Sequence, residues 1–163
     1  MNEQLNISGK LEVYRVRGDV KELVFSHKNT IDVGLRTAVT TAMISRAANL
    51  ICADAIAWGS YDSSCGSYVD SCWAGTTSFG TQGGLAMSNP TTSSVKFSGT
   101  FSFGSTVQIN MYRVGKGYAT HAAGITELFT SLYAYDNSLY NNSSYLTFDN
   151  GETQVVDWTI TLS

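Results

Sequence analysis

The most regular alternation of apolar and polar side chains lies at the end of the sequence, in FDNGETQVVDWTITLS. One face of this stretch carries Val156, Trp158, Ile160 and Leu162, and the other face carries Thr153, Val155, Asp157, Thr159 and Thr161. A period of two predicts a half-buried β-strand. Chain ends fray unless something holds them, so we expect this strand to pair within its own sheet or against a neighbouring subunit. The turn signal Asn150-Gly151 favours pairing within the sheet, beside residues 145–148.

The start of the sequence predicts a hairpin followed by a helix. Residues 9–16 and 20–27 are typical of two strands, and Arg17-Gly18-Asp19 between them indicates a tight turn. The period then changes to three and four residues, which predicts one amphipathic helix near residues 33–51. Its apolar positions are Leu35, Ala38, Val39, Ala42, Met43, Ala47, Leu50 and Ile51. Thr30 or Asp32 is expected to cap its first turn.

The middle of the sequence mixes short strands with polar segments. We expect a buried strand at residues 55–58, then a loop over residues 59–94 that ends near Asn89-Pro90 and is functional or ordered by a partner. Strands are predicted at 95–103, with Gly99 as a candidate bulge, and at 107–111, with a hairpin at Gly104-Ser105. Residues 124–135 favour one or two strands, and residues 136–144 a polar loop. About eight short strands and one helix predict a mainly β fold, an antiparallel β-sandwich forming one domain over residues 1–163.

Composition and charge narrow the class of protein. The net charge is −3, with seven basic and five acidic residues up to residue 46 and three against eight after it. Nucleic-acid binding is not expected, because that surface needs clustered Lys and Arg. No signal peptide or membrane span is visible, so we expect synthesis in the cytoplasm and no membrane partner. Three cysteines do not indicate a disulfide framework; Cys52 is expected to be buried, and a bridge between Cys65 and Cys72 stays open.

Residue patterns for catalysis and metal binding are weak. Gly115-Lys116-Gly117 lacks the third glycine of a dinucleotide site, and no Gly-x-Ser-x-Gly elbow occurs. The histidines, His27 and His121, are expected to be surface residues, and no second cysteine pair completes a zinc site. The carboxylates of Asp136, Asp149, Glu152 and Asp157 are expected to serve turns and a polar strand face. We therefore expect no enzyme activity, no metal and no cofactor.

Tyrosines offer a candidate binding surface. Tyr133, Tyr135, Tyr140 and Tyr145 flank one Asn/Ser-rich segment. Tyrosine beside Asn and Ser suits protein interfaces and sugar faces, so these four are candidate interface or glycan contacts. The alternative is that they fill half-buried strand positions.

The order of segments resembles a family of viral proteins. LEVYRVRGDVKELVFSHKNTI is followed by DVGLRTAVTTAMIS, then AIAWGS, and finally NGETQVVDWTITLS. This order is similar to small β-sandwich virion structural proteins of tailed bacteriophages, which serve as capsid decoration, fibre or tail components. The resemblance implies a non-enzymatic, oligomeric assembly subunit in the virion, with itself and other virion proteins as partners. The alternative is a carbohydrate-binding adhesin or receptor-binding module with a host surface glycan as partner; a glycosidase is the third hypothesis.

Overall fold

The computed structural model describes residues 6–45, 55–59, 79–83, 86–117 and 129–163. Its strands are β1 Ile7–Arg17, β2 Val20–Ile31, β3 Ala55–Gly59, β4 Phe79–Gly83, β5 Ala86–Thr91, β6 Ser94–Ser102, β7 Val107–Ile109, β8 Met111–Gly117, β9 Phe129–Asp136, β10 Leu146–Phe148 and β11 Thr153–Leu162. The helices in this part of the chain are α1 Val33–Ser45 and α2 Ser138–Asn141. The predicted mainly β, antiparallel fold with a helix after the first hairpin is confirmed. Neither helix has the length and apolar character to cross a membrane.

Most strands belong to one curled antiparallel sheet, which forms a half-barrel. Nine strands pair in the order β4-β3-β8-β9-β2-β1-β11-β6-β5, and β10 pairs with β7 in a separate ladder. The half of the sheet that contains β3 faces the half that contains β6. The Trp58 ring lies edge-on to Phe101 and Phe103, with ring centroids 6.4 and 5.4 Å apart. These aromatic contacts close the core between the two halves.

The final strand lies inside the sheet. β11 is paired with β1 on one side and β6 on the other, so the expectation that it pairs within its own sheet is confirmed. The predicted pairing with residues 145–148 is wrong, because β10 pairs with β7 instead. Gly151 does form a turn at φ +84°, and the Glu152 amide donates to the Asp149 carbonyl. This turn sends the chain between β1 and β6 rather than back along β10.

The first hairpin and the start of the helix match the sequence pattern. Gly18 has φ +55°, which a tight turn requires and which glycine adopts without a Cβ penalty. Asp32 caps α1, because its Oδ1 accepts from the Gly34 amide at 2.8 Å. A bulge interrupts β2, since Phe25 pairs with Val13 while Leu23 pairs with Tyr14. The predicted continuation of the helix to residue 51 lies outside the described residues.

Three predictions for the middle of the chain are wrong. The segment 59–94 is not a continuous loop, because it contains β4 and β5, and Pro90 lies in β5 at the sheet edge, where a missing amide is tolerated. Gly99 makes no bulge, since the β6–β11 register runs through it unbroken. The run 107–111 does not form a hairpin with β6. It divides at Asn110, whose amide donates to the Gly59 carbonyl and whose carbonyl accepts from the Tyr140 amide.

The polar segment 136–144 is also more ordered than predicted, because it includes α2. The predictions for Cys52, Cys65, Cys72 and His121 lie outside the described residues.

Candidate functional site

The strongest candidate site is a cavity of about 500 Å³ at the point where β2 and β9 diverge. These strands pair at Thr30–Tyr135 and Ile31–Ala134, and beyond this point they separate. The residues before Thr30 form one side of the gap, and those after Tyr135 form the other. The cavity is lined by His27, Lys28, Thr30, Asp32, Arg113, Tyr135, Asp136, Asn137, Ser138 and Asn141.

A row of three side chains from neighbouring strands lines one part of the cavity. Thr30 of β2 is opposite Tyr135 of β9, and Tyr135 is opposite Arg113 of β8. Residues directly opposite each other project from the same face of a sheet. Tyr135 is half-buried, whereas Arg113 is only 6% exposed. The row therefore places a phenol ring between a hydroxyl and a guanidinium.

Asp136 connects the two sides of the gap. Its Oδ2 lies 2.7 Å from His27 Nδ1, and its Oδ1 accepts from the Ser138 amide at 3.0 Å and from Ser138 Oγ at 2.6 Å. A carboxylate only accepts, so His27 Nδ1 is the donor in this contact. The carboxyl group lies between the serine and the histidine. Activation of a serine requires the imidazole itself to contact the hydroxyl, so this order is not that of a nucleophile and its base.

The charges of the cavity are balanced. Lys28 and Arg113 supply two positive charges, and Asp32 and Asp136 supply two negative charges. Both carboxylates accept hydrogen bonds at the start of a helix, Asp32 from Gly34 and Asp136 from Ser138. The Lys28 ammonium group makes no ion pair or hydrogen bond with the residues that the structure describes. With His27 neutral, the cavity therefore has no net charge, and it offers both hydrogen-bond donors and hydrogen-bond acceptors.

The four tyrosines predicted as contacts do not share one surface. Tyr135 lines the cavity, Tyr140 is half-buried beside it in α2, and Tyr145 is 44% exposed outside the cavity. Tyr133 is fully buried in the core, so its prediction as a contact residue is wrong. The physical reason is a bulge: Val114 pairs with Ala134 and Gly115 with Leu132, which leaves Tyr133 as the extra residue of β9. The bulge breaks the period of two that would have placed Tyr133 and Tyr135 on one face.

The remaining predicted carboxylates lie in structural contacts away from the cavity. Asp157 is bound by Lys96 Nζ at 2.8 Å and by Ser98 Oγ. Glu152 accepts from the Asp149 amide at 2.9 Å and pairs with Arg17 and Arg15. The hydrogen bond from the Asp149 amide, followed by the contacts with Arg17, holds the pKa of Glu152 below its usual value. No group of His, Cys, Asp and Glu suited to a metal ion occurs among the described residues.

A second depression adjoins the cavity. It has a volume of about 530 Å³ and is lined by Ser8, Gly9, Lys10, Ser26, His27, Lys28 and Thr161. His27 and Lys28 belong to both linings, so the two depressions meet at β2. Lys10 Nζ is paired with Glu12 at 2.7 Å, and the other polar groups here are mainly hydroxyls.

Sequence reasoning missed Lys28, Thr30, Arg113 and Asn141 as members of one site. They come from β2, β8 and α2, and no local sequence motif indicates that these three elements lie next to each other. Comparisons with known proteins add no assignment: no protein-family model matches the chain, and no curated protein or solved structure is significantly similar to it.

Proposed function

We propose that this chain is a non-enzymatic structural protein of a tailed-bacteriophage virion, an oligomeric subunit on the capsid or tail. The observation that supports assembly is the open edge of β2. β9 covers this edge at Thr30 and Ile31, and no other described strand pairs with residues 20–29 on that side. An edge strand presents a row of unpaired amides and carbonyls that can pair with another chain.

The side chains at the start of β2 favour contact with a partner. Val20 is 67% exposed and Leu23 is 49% exposed, which is unusual for two large apolar residues in one short segment. A lysine can protect an edge by extending over it, but Lys21 Nζ lies 4.1 Å from the centroid of the Tyr14 ring on the adjacent strand. The apolar surface of the edge is therefore not covered by the Lys21 side chain.

Sedimentation velocity of the isolated protein tests assembly through this edge. We expect the parent to sediment as an oligomer and Val20→Lys/Leu23→Lys to shift towards monomer. The control is Val33→Lys, because Val33 is equally large, is 72% exposed and lies on α1 rather than on the edge. A monomeric parent at micromolar concentration, or equal effects of the edge and control variants, would contradict assembly through β2. Mass spectrometry of purified particles tests the virion assignment separately, since a virion subunit must be present in fixed copy number.

Carbohydrate binding is the second candidate function, and the cavity between β2 and β9 favours it. The cavity combines the half-buried ring of Tyr135 with the amides of Asn137 and Asn141. Such aromatic and planar polar groups fit the apolar and hydroxyl-bearing faces of a sugar. A glycan-array screen of the full chain tests this function. If no glycan on the array binds, carbohydrate binding is ruled out.

A further inference from the structure

We propose that the cavity and the adjoining depression together bind one neutral oligosaccharide, which crosses β2 at His27 and Lys28. This proposal rests on the second candidate function and specifies its ligand class. Three properties of the two depressions carry it: their charge balance, the kinds of side chain they present, and their continuity.

The charge balance favours a neutral ligand. In the cavity, Lys28 and Arg113 offset Asp32 and Asp136, and in the adjoining depression Lys10 is already paired with Glu12. An anionic sugar would meet Asp32 and Asp136, and a cationic sugar would meet Lys28 and Arg113, so the cavity favours neither sign of net charge. A neutral sugar meets no such repulsion, and its hydroxyls can both donate and accept.

The side chains differ between the depressions in a way that suits successive sugar units. The cavity offers the Tyr135 ring, on which the apolar face of a pyranose can pack, and the Asn137 amide for adjacent hydroxyls. The adjoining depression offers the hydroxyls of Ser8, Ser26 and Thr161 but no tyrosine, tryptophan or phenylalanine ring. The cavity is therefore the principal subsite, and the adjoining depression adds polar contacts to a second unit.

Continuity sets the length of the ligand. The volumes of about 500 and 530 Å³ each lie within the range of small-molecule sites, roughly 300–1,000 Å³. Because both linings include His27 and Lys28, a ligand can pass from one to the other without leaving the surface of β2. A monosaccharide would occupy the cavity alone, whereas a trisaccharide would reach both.

Isothermal titration of the full chain tests length and charge. The probes are glucose against maltotriose and cellotriose, N-acetylglucosamine against chitotriose, and lactose against sialyllactose, extended by any neutral glycan that the array identifies. We expect at least one neutral trisaccharide to bind about tenfold or more tighter than its monosaccharide, a difference of about 1.4 kcal/mol. We expect sialyllactose to bind no tighter than lactose.

Two variants assign the subsites. Tyr135→Ala should abolish binding of both mono- and trisaccharide. Ser26→Trp, at an exposed position, should fill the adjoining depression and reduce trisaccharide affinity to the monosaccharide level while leaving the monosaccharide unaffected. Tyr145→Ala is the matched control, since Tyr145 lies outside both depressions, and circular dichroism checks that each variant is folded.

The outcomes separate the proposal from the function on which it rests. If no glycan binds, carbohydrate binding itself fails and the oligosaccharide proposal fails with it. If sugars bind but the trisaccharides gain nothing, or if Ser26→Trp leaves their advantage intact, the two-subsite proposal is wrong while carbohydrate binding stands. A preference for sialyllactose would refute the argument from charge balance.

Discussion

Replacing Trp158 by alanine tests the account of the core most directly. Trp158 lies on β11, has no exposed surface, and faces Leu11 of β1 and Phe97 of β6 across the two ladders. A buried tryptophan removes about 150–250 Å² from water, which at ~25 cal/mol per Å² is worth about 4–6 kcal/mol before the burial of the remaining alanine is subtracted. We therefore expect Trp158→Ala to lower the free energy of unfolding by about 3–5 kcal/mol, as large-to-small core substitutions do.

Because of the indole nitrogen, we expect the stability lost in Trp158→Ala to lie towards the lower end of the range of about 3–5 kcal/mol. Trp158 Nε1 is buried without a hydrogen-bond partner among the described residues, and an unsatisfied buried donor costs about 1–3 kcal/mol. Alanine removes this cost together with the packing. Trp158→Phe removes it while keeping most of the apolar volume, so we expect this variant to lose less than about 1.5 kcal/mol.

Urea denaturation of four proteins measures these differences. The four proteins are the parent, Trp158→Ala, Trp158→Phe and Thr159→Ala. Where their m-values are equal, a shift in the urea midpoint measures a change in the free energy of unfolding. Thr159 is the matched control because it is the next residue on the same strand but projects from the opposite, half-buried face, where we expect a cost under about 1 kcal/mol. Equal midpoints for the parent and Trp158→Ala would refute the placement of β11 in the core.

Three further predictions concern other parts of the sheet. Deleting residues 154–163 removes a strand that is paired on both sides, so the monomer itself should lose its cooperative unfolding transition in circular dichroism; a folded truncated monomer would contradict the strand order. Gly9→Ala should cost about 1–3 kcal/mol in urea denaturation, because its Cβ would clash with the Asn29 side chain, and Gly9→Ala/Asn29→Ala should recover most of the loss; no recovery would disprove this cause. The depressed pKa of Glu152 means that its charge stabilises the fold above the unfolded pKa of about 4.3, and that this contribution is lost as pH falls through the folded pKa. Glu152→Gln should therefore melt below the parent at neutral pH, and the difference in melting temperature should shrink as the pH falls through the folded pKa of Glu152; a difference that does not shrink on acidification would argue against the charge as the cause.

The elements that could be predicted from the sequence are those whose burial or capping follows from their own residues. β11 was predictable because Val156, Trp158 and Ile160 all meet the core, so burial follows the period of two. The start of α1 was predictable because the cap at Asp32 is a local interaction. In both cases the information lies within a few residues of the element itself.

Pairing between distant strands could not be predicted in the same way. Asn150-Gly151 correctly indicates a turn, but the turn alone does not determine whether β10 or β1 lies beside β11. β5 was missed because all its residues are exposed at the sheet edge, where no core face imposes alternation. Edge strands carry a weak periodic signal for this reason.

The candidate site depends both on local sequence signals and on pairing between distant strands. Asp32 ends β2 and caps α1, and Asp136 ends β9 and binds the Ser138 amide at the start of α2, so each is a strand-to-helix transition with a local signal. The strands pair at Thr30 and Ile31, just before these transitions, and this non-local pairing brings the two carboxylates to one place. Because the chain turns into α2 after Asp136, β9 cannot continue beside residues 27–29 of β2, and the gap that remains is the cavity. Asp136 therefore ends the strand at the point where the gap opens, and together with Asp32 it offsets the charges of Lys28 and Arg113 within the cavity.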